Sequence, residues 1–78
     1  MNDLLLNDKE RLKLWCRQRR YVKTSDILRW GVQNYCNRAN RNKQELVQEN
    51  FLKPISQDQK IRMFGTIKEA VYEVQEAA

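Results

Sequence analysis

The sequence predicts a small, mainly helical α+β domain in which three helices form the core and a short β-hairpin packs against them. The chain has 78 residues, of which 41% are hydrophobic and 32% are charged, which is enough for one modest core but not for two domains. It contains only two glycines and one proline, which favours helices. Apolar residues recur at helical spacing through most of the chain and alternate near its end. We therefore interpret residues 1–78 as a single domain.

A first helix is predicted to begin near Asp8. The segment Asn7–Glu10 places a side-chain acceptor three residues before a glutamate, which resembles a capping box. Leu12, Trp15 and Cys16 then fall on one face at helical spacing. A tryptophan within such a stripe is typical of a core residue rather than of a base-stacking platform. We expect this helix to pack inward through Trp15.

A short extended stretch and a second helix follow. Tyr21–Lys23 is rich in strand-forming residues, and Thr24–Asp26 offers side chains that cap a helix. This second helix is predicted to close at Gly31, because glycine adopts the left-handed conformation at a helix end without steric cost. Trp30 precedes that end, and its place in the helix is not fixed by the pattern.

A third helix is predicted from residue 33 or 34 to about residue 49, because neither glycine nor proline interrupts this stretch. Lys43 lies near its apolar stripe, so we expect the lysine stem to follow the domain edge with its ammonium group in water. The stripe consists of Cys36, Ala39, Leu46 and Val47. The core that joins the three helices is predicted to contain Trp15, Ile27, Leu28, Ala39 and Leu46.

The last third of the chain is predicted to supply the hairpin. Phe51–Ile55 is apolar and contains a proline, which suits an edge strand. Ser56–Phe64 resembles a capped helical turn that ends at Gly65. From residue 66 onward two interpretations stay open, a strand centred on Val71–Val74 or a helix with its own capping box. The strand is favoured because Phe51–Ile55 needs a partner, and without it the fold is an all-α helical bundle.

The stretch from residue 24 to residue 50 contains a short capped helix, a turn and a longer helix with a basic outer face, which is the helix-turn-helix pattern. The segments Lys23–Val32, Arg38–Arg41 and Phe51–Leu52 resemble the winged helix-turn-helix proteins of bacteria and phages. Asn50 stands where a glycine is usual in that family, and Gln57–Ile67 looks more helical than a plain wing. The resemblance implies double-stranded DNA binding by a small transcriptional regulator or a phage replication or excision accessory protein.

The charge distribution also favours a polyanionic partner. The net charge is +5, but Lys9–Lys43 contains eleven Lys or Arg against two acids, a concentration that phosphate binding requires. Asparagine pairs with adenine and arginine with guanine in the major groove, so we predict that Asn37, Arg38 and Arg41 contact bases. The predicted phosphate contacts are Arg17, Arg19, Arg20, Lys23, Arg29 and Lys43.

Several functions find no support in the sequence. The chain has no histidine, no glycine-rich phosphate loop and no metal-ligand spacing, so we expect neither an enzyme nor a metal, cofactor or small-molecule site. Cys16 and Cys36 are isolated and are expected to be buried thiols. The longest apolar run, Leu4–Leu6, is far shorter than the roughly 20 residues that span a bilayer. We therefore expect a cytoplasmic protein that does not contact a membrane.

The main alternative is a protein-interaction module on the same scaffold. It would be favoured if the apolar side chains of Phe64, Ile67, Val71 and Val74 formed an exposed stripe. RNA binding is less favoured, because the chain lacks the aromatic sheet motif of common RNA-binding domains. A homodimer is also expected, since a domain of this size covers little DNA, and its interface is predicted within the acidic segment Thr66–Ala78.

Overall fold

A computed structural model describes residues 7–76, which contain four helices and a three-stranded antiparallel sheet. The order is α1 (Asp8–Arg17), β1 (Tyr21–Lys23), α2 (Thr24–Gln33), α3 (Ala39–Gln48), β2 (Leu52–Pro54), α4 (Gln57–Phe64) and β3 (Val71–Val74). The predicted α+β class is thereby confirmed, and the all-α alternative is wrong for these residues. The apolar run Leu4–Leu6 lies outside the described residues, as do the last two residues of the segment Thr66–Ala78.

The sheet has the order β1-β3-β2, with β3 antiparallel to both neighbours. Tyr72 lies opposite Val22 on one side and opposite Pro54 on the other. The strand at residues 71–74 and the edge strand around Pro54 are therefore both confirmed. The predicted two-stranded hairpin is wrong in one respect, because β1 adds a third strand at the other edge.

The connection between β2 and β3 carries α4, as the helical pattern of Ser56–Phe64 predicts. The hydroxyl oxygen of Ser56 accepts a hydrogen bond of 3.1 Å from the backbone N–H of Gln59, which satisfies a free donor in the first turn. Gly65 follows with φ of 78°, a conformation that suits glycine. Lys60, in the middle of this short helix, is buried and donates from Nζ to the carbonyl of Glu69 at 3.1 Å.

The two N-terminal helices begin in different ways. At α1 the Oδ1 of Asn7 accepts from the N–H of Glu10 at 2.8 Å, as predicted from the capping box. At α2 the prediction of a local cap is wrong, since the capping position is Lys23 and its side chain makes no capping bond. The N–H of Ser25 donates instead to Oε1 of Glu69 at 2.7 Å. A carboxylate 44 residues away thus caps this helix.

Gly31 does not end the second helix, contrary to the prediction. The helix continues through Gln33, and Gly31 is buried inside it. A Cβ at this position would lie 2.6 Å from the Cβ of Ala39 and 2.9 Å from the carbonyl oxygen of Cys36. The glycine therefore allows close packing between α2 and α3. The left-handed residue beyond the helix end is Tyr35, with φ of 55°.

The third helix is shorter than predicted at its N-terminal end. It begins at Ala39, and residues 34–38 form the connection from α2. Cys36 is buried there, and its N–H donates to the carbonyl of Gly31 at 2.7 Å, which turns the chain back before α3 starts. The C-terminal end agrees with the prediction, because α3 ends at Gln48 and Asn50 has φ of 64°.

The core lies between the three N-terminal helices and the sheet. Ile27, Ala39 and Leu46 are buried as predicted, and Trp15 is partly buried against them. Leu28 is wrongly assigned to the core, because its side chain is 43% exposed. The fully buried side chains are Leu12, Cys16, Val22, Ile27, Leu46, Leu52 and Val71.

Two further buried residues do not belong to the core predicted from the sequence. Trp30 is buried, and its ring centroid lies 6.1 Å from that of Trp15. Asn42 is buried on the inner face of α3 and donates from Nδ2 to the sulfur of Cys36 at 3.8 Å. Lys43, beside it, is only partly buried, with Nζ 5.6 Å from the centre of the Tyr72 ring, in agreement with an edge position.

Replacing Leu46 with alanine tests the core assignment. We expect Leu46→Ala to lower the free energy of unfolding by about 2 to 5 kcal/mol, because it leaves a cavity that the core cannot fill. Leu28→Ala removes the same atoms from an exposed site and should change it by less than about 0.5 kcal/mol. Urea denaturation followed by circular dichroism measures both values. Equal losses in the two variants would contradict this assignment.

Candidate nucleic-acid interface

The helices α2 and α3 form a packed pair joined by the connection of residues 34–38. This connection is held from within the domain at two points. The carbonyl of Asn34 accepts from Nη2 of Arg11 at 2.9 Å, and Cys36 is buried. Tyr35, Asn37 and Arg38 are exposed. The connection therefore presents three side chains to solvent from a fixed backbone.

The three predicted base-contacting residues lie close together in the chain, but two of them are not on the helix. Asn37 and Arg38 belong to the connection, with Arg38 at the capping position of α3, and only Arg41 is helical. This corrects the expectation that α3 carries all three. All are exposed, as is Asn40. Guanidinium and amide groups thus surround the N-terminal end of α3.

Glu45 in the C-terminal half of α3 and Glu49 at its C-capping position are paired with α1, and Oε2 of Glu45 also lies 3.8 Å from Nε of Arg41. Nζ of Lys9 lies 3.3 Å from Oε1 of Glu45 and 2.6 Å from Oε2 of Glu49. The hydrogen bond to Glu49 raises the pKa of Lys9 and lowers the pKa of Glu49. Residues 27–44 contain four cations and no acid. The N-terminal half of α3 therefore carries cations and no acid, while Lys9 offsets part of the charge of the two carboxylates beyond it.

The predicted phosphate contacts differ in their present partners. Arg17 lies 3.1 Å from Glu76 and Arg29 lies 3.7 Å from Asp26. Within residues 7–76, neither Arg20 nor Lys23 forms an ion pair. The two remaining residues contact aromatic rings, with Arg19 4.2 Å from the centre of Trp15 and Lys43 beside Tyr72. These six residues are distributed over α1, the connection that follows it, β1, α2 and α3.

An aromatic cleft of about 250 Å³ lies beside α1 and α2. The indole of Trp15 packs against the core on one side and is covered by the guanidinium of Arg19 on another. This arrangement supports the prediction of a packing role for Trp15, because the covered ring leaves little face for a base to stack on. The other lining residues are Asp26, Arg29, Trp30 and Gln33.

Both cysteines are buried and free, as predicted. Burial raises the pKa of Cys16 to about 12, and the charge of Arg19 opposes this only weakly. The thiol is therefore protonated at neutral pH and unsuited to nucleophilic chemistry. Within residues 7–76, no three His, Cys, Asp or Glu side chains lie close enough to hold a metal ion.

The segment predicted to form a dimer interface, Thr66–Ala78, contains the central strand of the sheet. Its strand β3 pairs on both sides, so its backbone groups are not free to pair with a second chain. Val71 and Val74 are buried, while Phe64 and Ile67 are partly buried. The apolar stripe that would have favoured a protein-interaction module is therefore not exposed.

Comparisons with protein-family models, with curated proteins and with solved structures find no match to this chain. The functional interpretation accordingly depends on the charge and geometry of the described residues. Among these residues, no helix is long and apolar enough to cross a membrane.

The cap of α2 makes the stability of the domain depend on pH through Glu69. Hydrogen bonds from Ser25 lower the pKa of Glu69 below its ordinary value of 4.5. A carboxylate whose pKa is lower in the folded than in the unfolded state stabilises the fold at pH values above its unfolded-state pKa. This stabilisation is lost as the pH falls through its folded-state pKa. We expect Glu69→Gln to unfold at lower urea than the wild type at pH 7, with the difference shrinking towards about pH 3.

The matched control is Asp58→Asn, which neutralises an exposed carboxylate in the first turn of α4. Urea denaturation of the three proteins at both pH values separates the cap from a general effect of charge. A constant difference between wild type and Glu69→Gln across this range would contradict the pH-dependent cap.

Proposed function

We propose that this chain is a winged helix-turn-helix domain that binds double-stranded DNA in the major groove. One observation carries the proposal: exposed guanidinium and amide groups surround the N-terminal end of α3, in a stretch without acids. Arginine forms bidentate hydrogen bonds with guanine, and asparagine forms them with adenine. Asn37, Arg38 and Arg41 are the proposed base contacts.

The order of the elements supports this proposal. The packed pair α2 and α3 corresponds to the two helices of a helix-turn-helix. The strands β2 and β3 follow them in the chain and correspond to the strands of a wing. In this interpretation α4 lengthens the wing. Arg62 on α4 and Lys53 on β2 are exposed, and they are the wing cations proposed to contact the DNA backbone next to the groove.

Phosphate contacts are assigned to the six predicted basic residues, of which only Lys43 lies on α3. Arg20 and Lys23 are the best placed chemically, because no ion pair with residues 7–76 has to break. Arg29 has a long ion pair with Asp26 at 3.7 Å, and an exposed pair of this kind contributes little stability. Arg29 can therefore exchange its ion pair with Asp26 for one with a DNA phosphate at little cost in folding stability.

The biological role that fits is that of a small cytoplasmic regulator of transcription or of a phage replication or excision accessory protein. A single domain of this size contacts a short DNA segment, so binding as a homodimer would extend the site. A protein-interaction module is the second candidate, and the exposure of Leu28 and Val32 on α2 favours it. The two candidates differ in their dependence on salt and on Arg38 and Arg41.

We expect the affinity for duplex DNA to fall steeply with salt. Each phosphate neutralised by Lys or Arg releases condensed counterions, so log affinity falls linearly with log salt by about 0.9 per contact. Titration of a mixed-sequence duplex at several salt concentrations measures this slope. Arg20→Ala should reduce the slope by about one contact. Affinity that does not change with salt would contradict DNA binding through this basic surface.

Replacing a base-contacting residue and replacing a phosphate-contacting residue should have different effects on DNA binding. Arg38→Ala or Arg41→Ala should lose about 1 to 3 kcal/mol on a selected site and reduce the preference for it over scrambled DNA. Lys23→Ala should weaken both duplexes equally, because a phosphate contact carries no sequence information. Competition assays with selected and scrambled duplexes measure both effects. If the double variant of Arg38 and Arg41 keeps its affinity and preference, α3 does not enter the groove.

A further inference from the structure

Tyr35 has a strained backbone and a ring that the domain does not use. Its φ of 55° lies in the left-handed region, which bulky residues adopt at a cost in free energy. Its side chain is 94% exposed. Glycine or asparagine would occupy this conformation more easily. The sequence therefore keeps a costly residue whose benefit does not come from packing within the described domain.

The strain is imposed by the residues on either side. The backbone N–H of Asn34 donates to the carbonyl of Trp30 at 2.9 Å, and its side-chain amide donates to the same oxygen at 2.8 Å. On the other side, the buried Cys36 donates its N–H to the carbonyl of Gly31 at 2.7 Å. With both neighbours fixed, Tyr35 has to reverse the chain. A left-handed residue persists only where its surroundings determine it in this way.

The surroundings of the ring favour an anionic partner. Tyr35 precedes the exposed Asn37 and Arg38 in the same connection, and the stretch of residues 27–44 contains no acid. The exposed apolar side chains nearest in sequence are Val32 and Leu28, which are 81% and 43% exposed. Two such side chains fall far short of the roughly 800 Å² per partner in a stable protein interface. A hydrogen bond from one side chain to a phosphate needs no apolar patch around it, because its strength comes from the charge of the phosphate.

We propose that Tyr35 contacts the DNA backbone, an inference that rests on the proposed DNA-binding function. The hydroxyl of Tyr35 donates to a phosphate oxygen next to the groove that Arg38 enters, and the ring packs against the adjoining deoxyribose. Tyrosine suits this position because it combines an apolar body with a polar tip, and tyrosine is among the side chains that bind phosphates in protein–DNA complexes. The contact orients the domain and does not select a sequence.

Four variants test this inference, one of which, Val32→Ala, probes a protein interface at the exposed end of α2. Tyr35→Asn keeps a residue suited to the left-handed conformation and removes the ring, while Tyr35→Phe removes only the hydroxyl. Asn50→Gly is the matched control, since Asn50 is the other non-glycine residue with positive φ among residues 7–76 and lies beyond the opposite end of α3. Affinity is measured by titration of selected and scrambled duplexes, stability by thermal melting, and oligomeric state by sedimentation.

We expect Tyr35→Asn to bind both duplexes about tenfold more weakly, a loss of about 1.4 kcal/mol, and to melt at the same temperature or about 2 to 5 °C higher. Tyr35→Phe should bind about threefold more weakly, because it keeps the ring and loses one hydrogen bond that is exposed to solvent. Asn50→Gly should bind as the wild type does.

Other results would overturn the inference in separable ways. If Tyr35→Asn binds DNA as tightly as the wild type, the ring does not contact DNA and the proposed function stands. If Tyr35→Asn melts well below the wild type, the ring stabilises the domain itself. If Tyr35→Asn and Val32→Ala both shift the oligomeric state and lose affinity together, the ring belongs to a protein interface. If the wild type binds no duplex at any salt concentration, the proposed function and this inference both fail.

Discussion

The close approach of α2 and α3 is the constraint on which the rest of the structure depends. A Cβ on Gly31 would lie 2.6 Å from that of Ala39, so these positions permit only small side chains. This packing draws the start of α3 against the last turns of α2 and leaves five residues to reverse the chain. The buried Cys36 fills the space under the reversal. Tyr35 on one side of Cys36, and Asn37 and Arg38 on the other, are left exposed.

A second constraint ties the sheet to the helix pair. The segment before β3 carries Glu69, whose carboxylate caps α2 through Ser25 and whose carbonyl accepts from the buried Lys60. The carbonyl of Ala70 accepts from the N–H of Thr24 at 3.2 Å. One short segment thus fixes the start of α2, the position of α4 and the entry into the central strand. Because α2 packs on α3, this segment also sets the orientation of the exposed end of α3.

The sequence predicts local features of this fold well and long-range ones poorly. The cap at Asn7, the left-handed Asn50, the edge strand at Pro54 and the helix after Ser56 each depend on neighbouring residues, and each agrees with the structure. The cap of α2 by Glu69 depends on residues far apart in the chain, so no local pattern signals it. The local pattern predicts a helix end at Gly31, whereas this position requires a glycine because it contacts another helix.

The candidate site was predicted in its residue types but not in its geometry. The cluster of arginine and asparagine is visible in the sequence, whereas the start of α3 is not. The stretch from residue 33 onward contains no helix breaker, and the turn depends on burial of Cys36 and on the strained Tyr35. Asn34 is the better left-handed residue by type, so the sequence gives no reason to place the reversal at its neighbour.

The distribution of charge along α3 connects the fold to the proposed function. A helix with two carboxylates close behind its arginines is a poor ligand for phosphate unless those carboxylates are compensated. Lys9 of α1 lies 3.3 Å from Glu45 and 2.6 Å from Glu49, so packing α1 on α3 offsets one of these two negative charges, and Arg41 lies 3.8 Å from Glu45. The same packing buries Leu12 and Leu46. The contact that builds the core therefore also leaves the N-terminal end of α3 as the positive end, and loosening α1 would weaken stability and anion binding together.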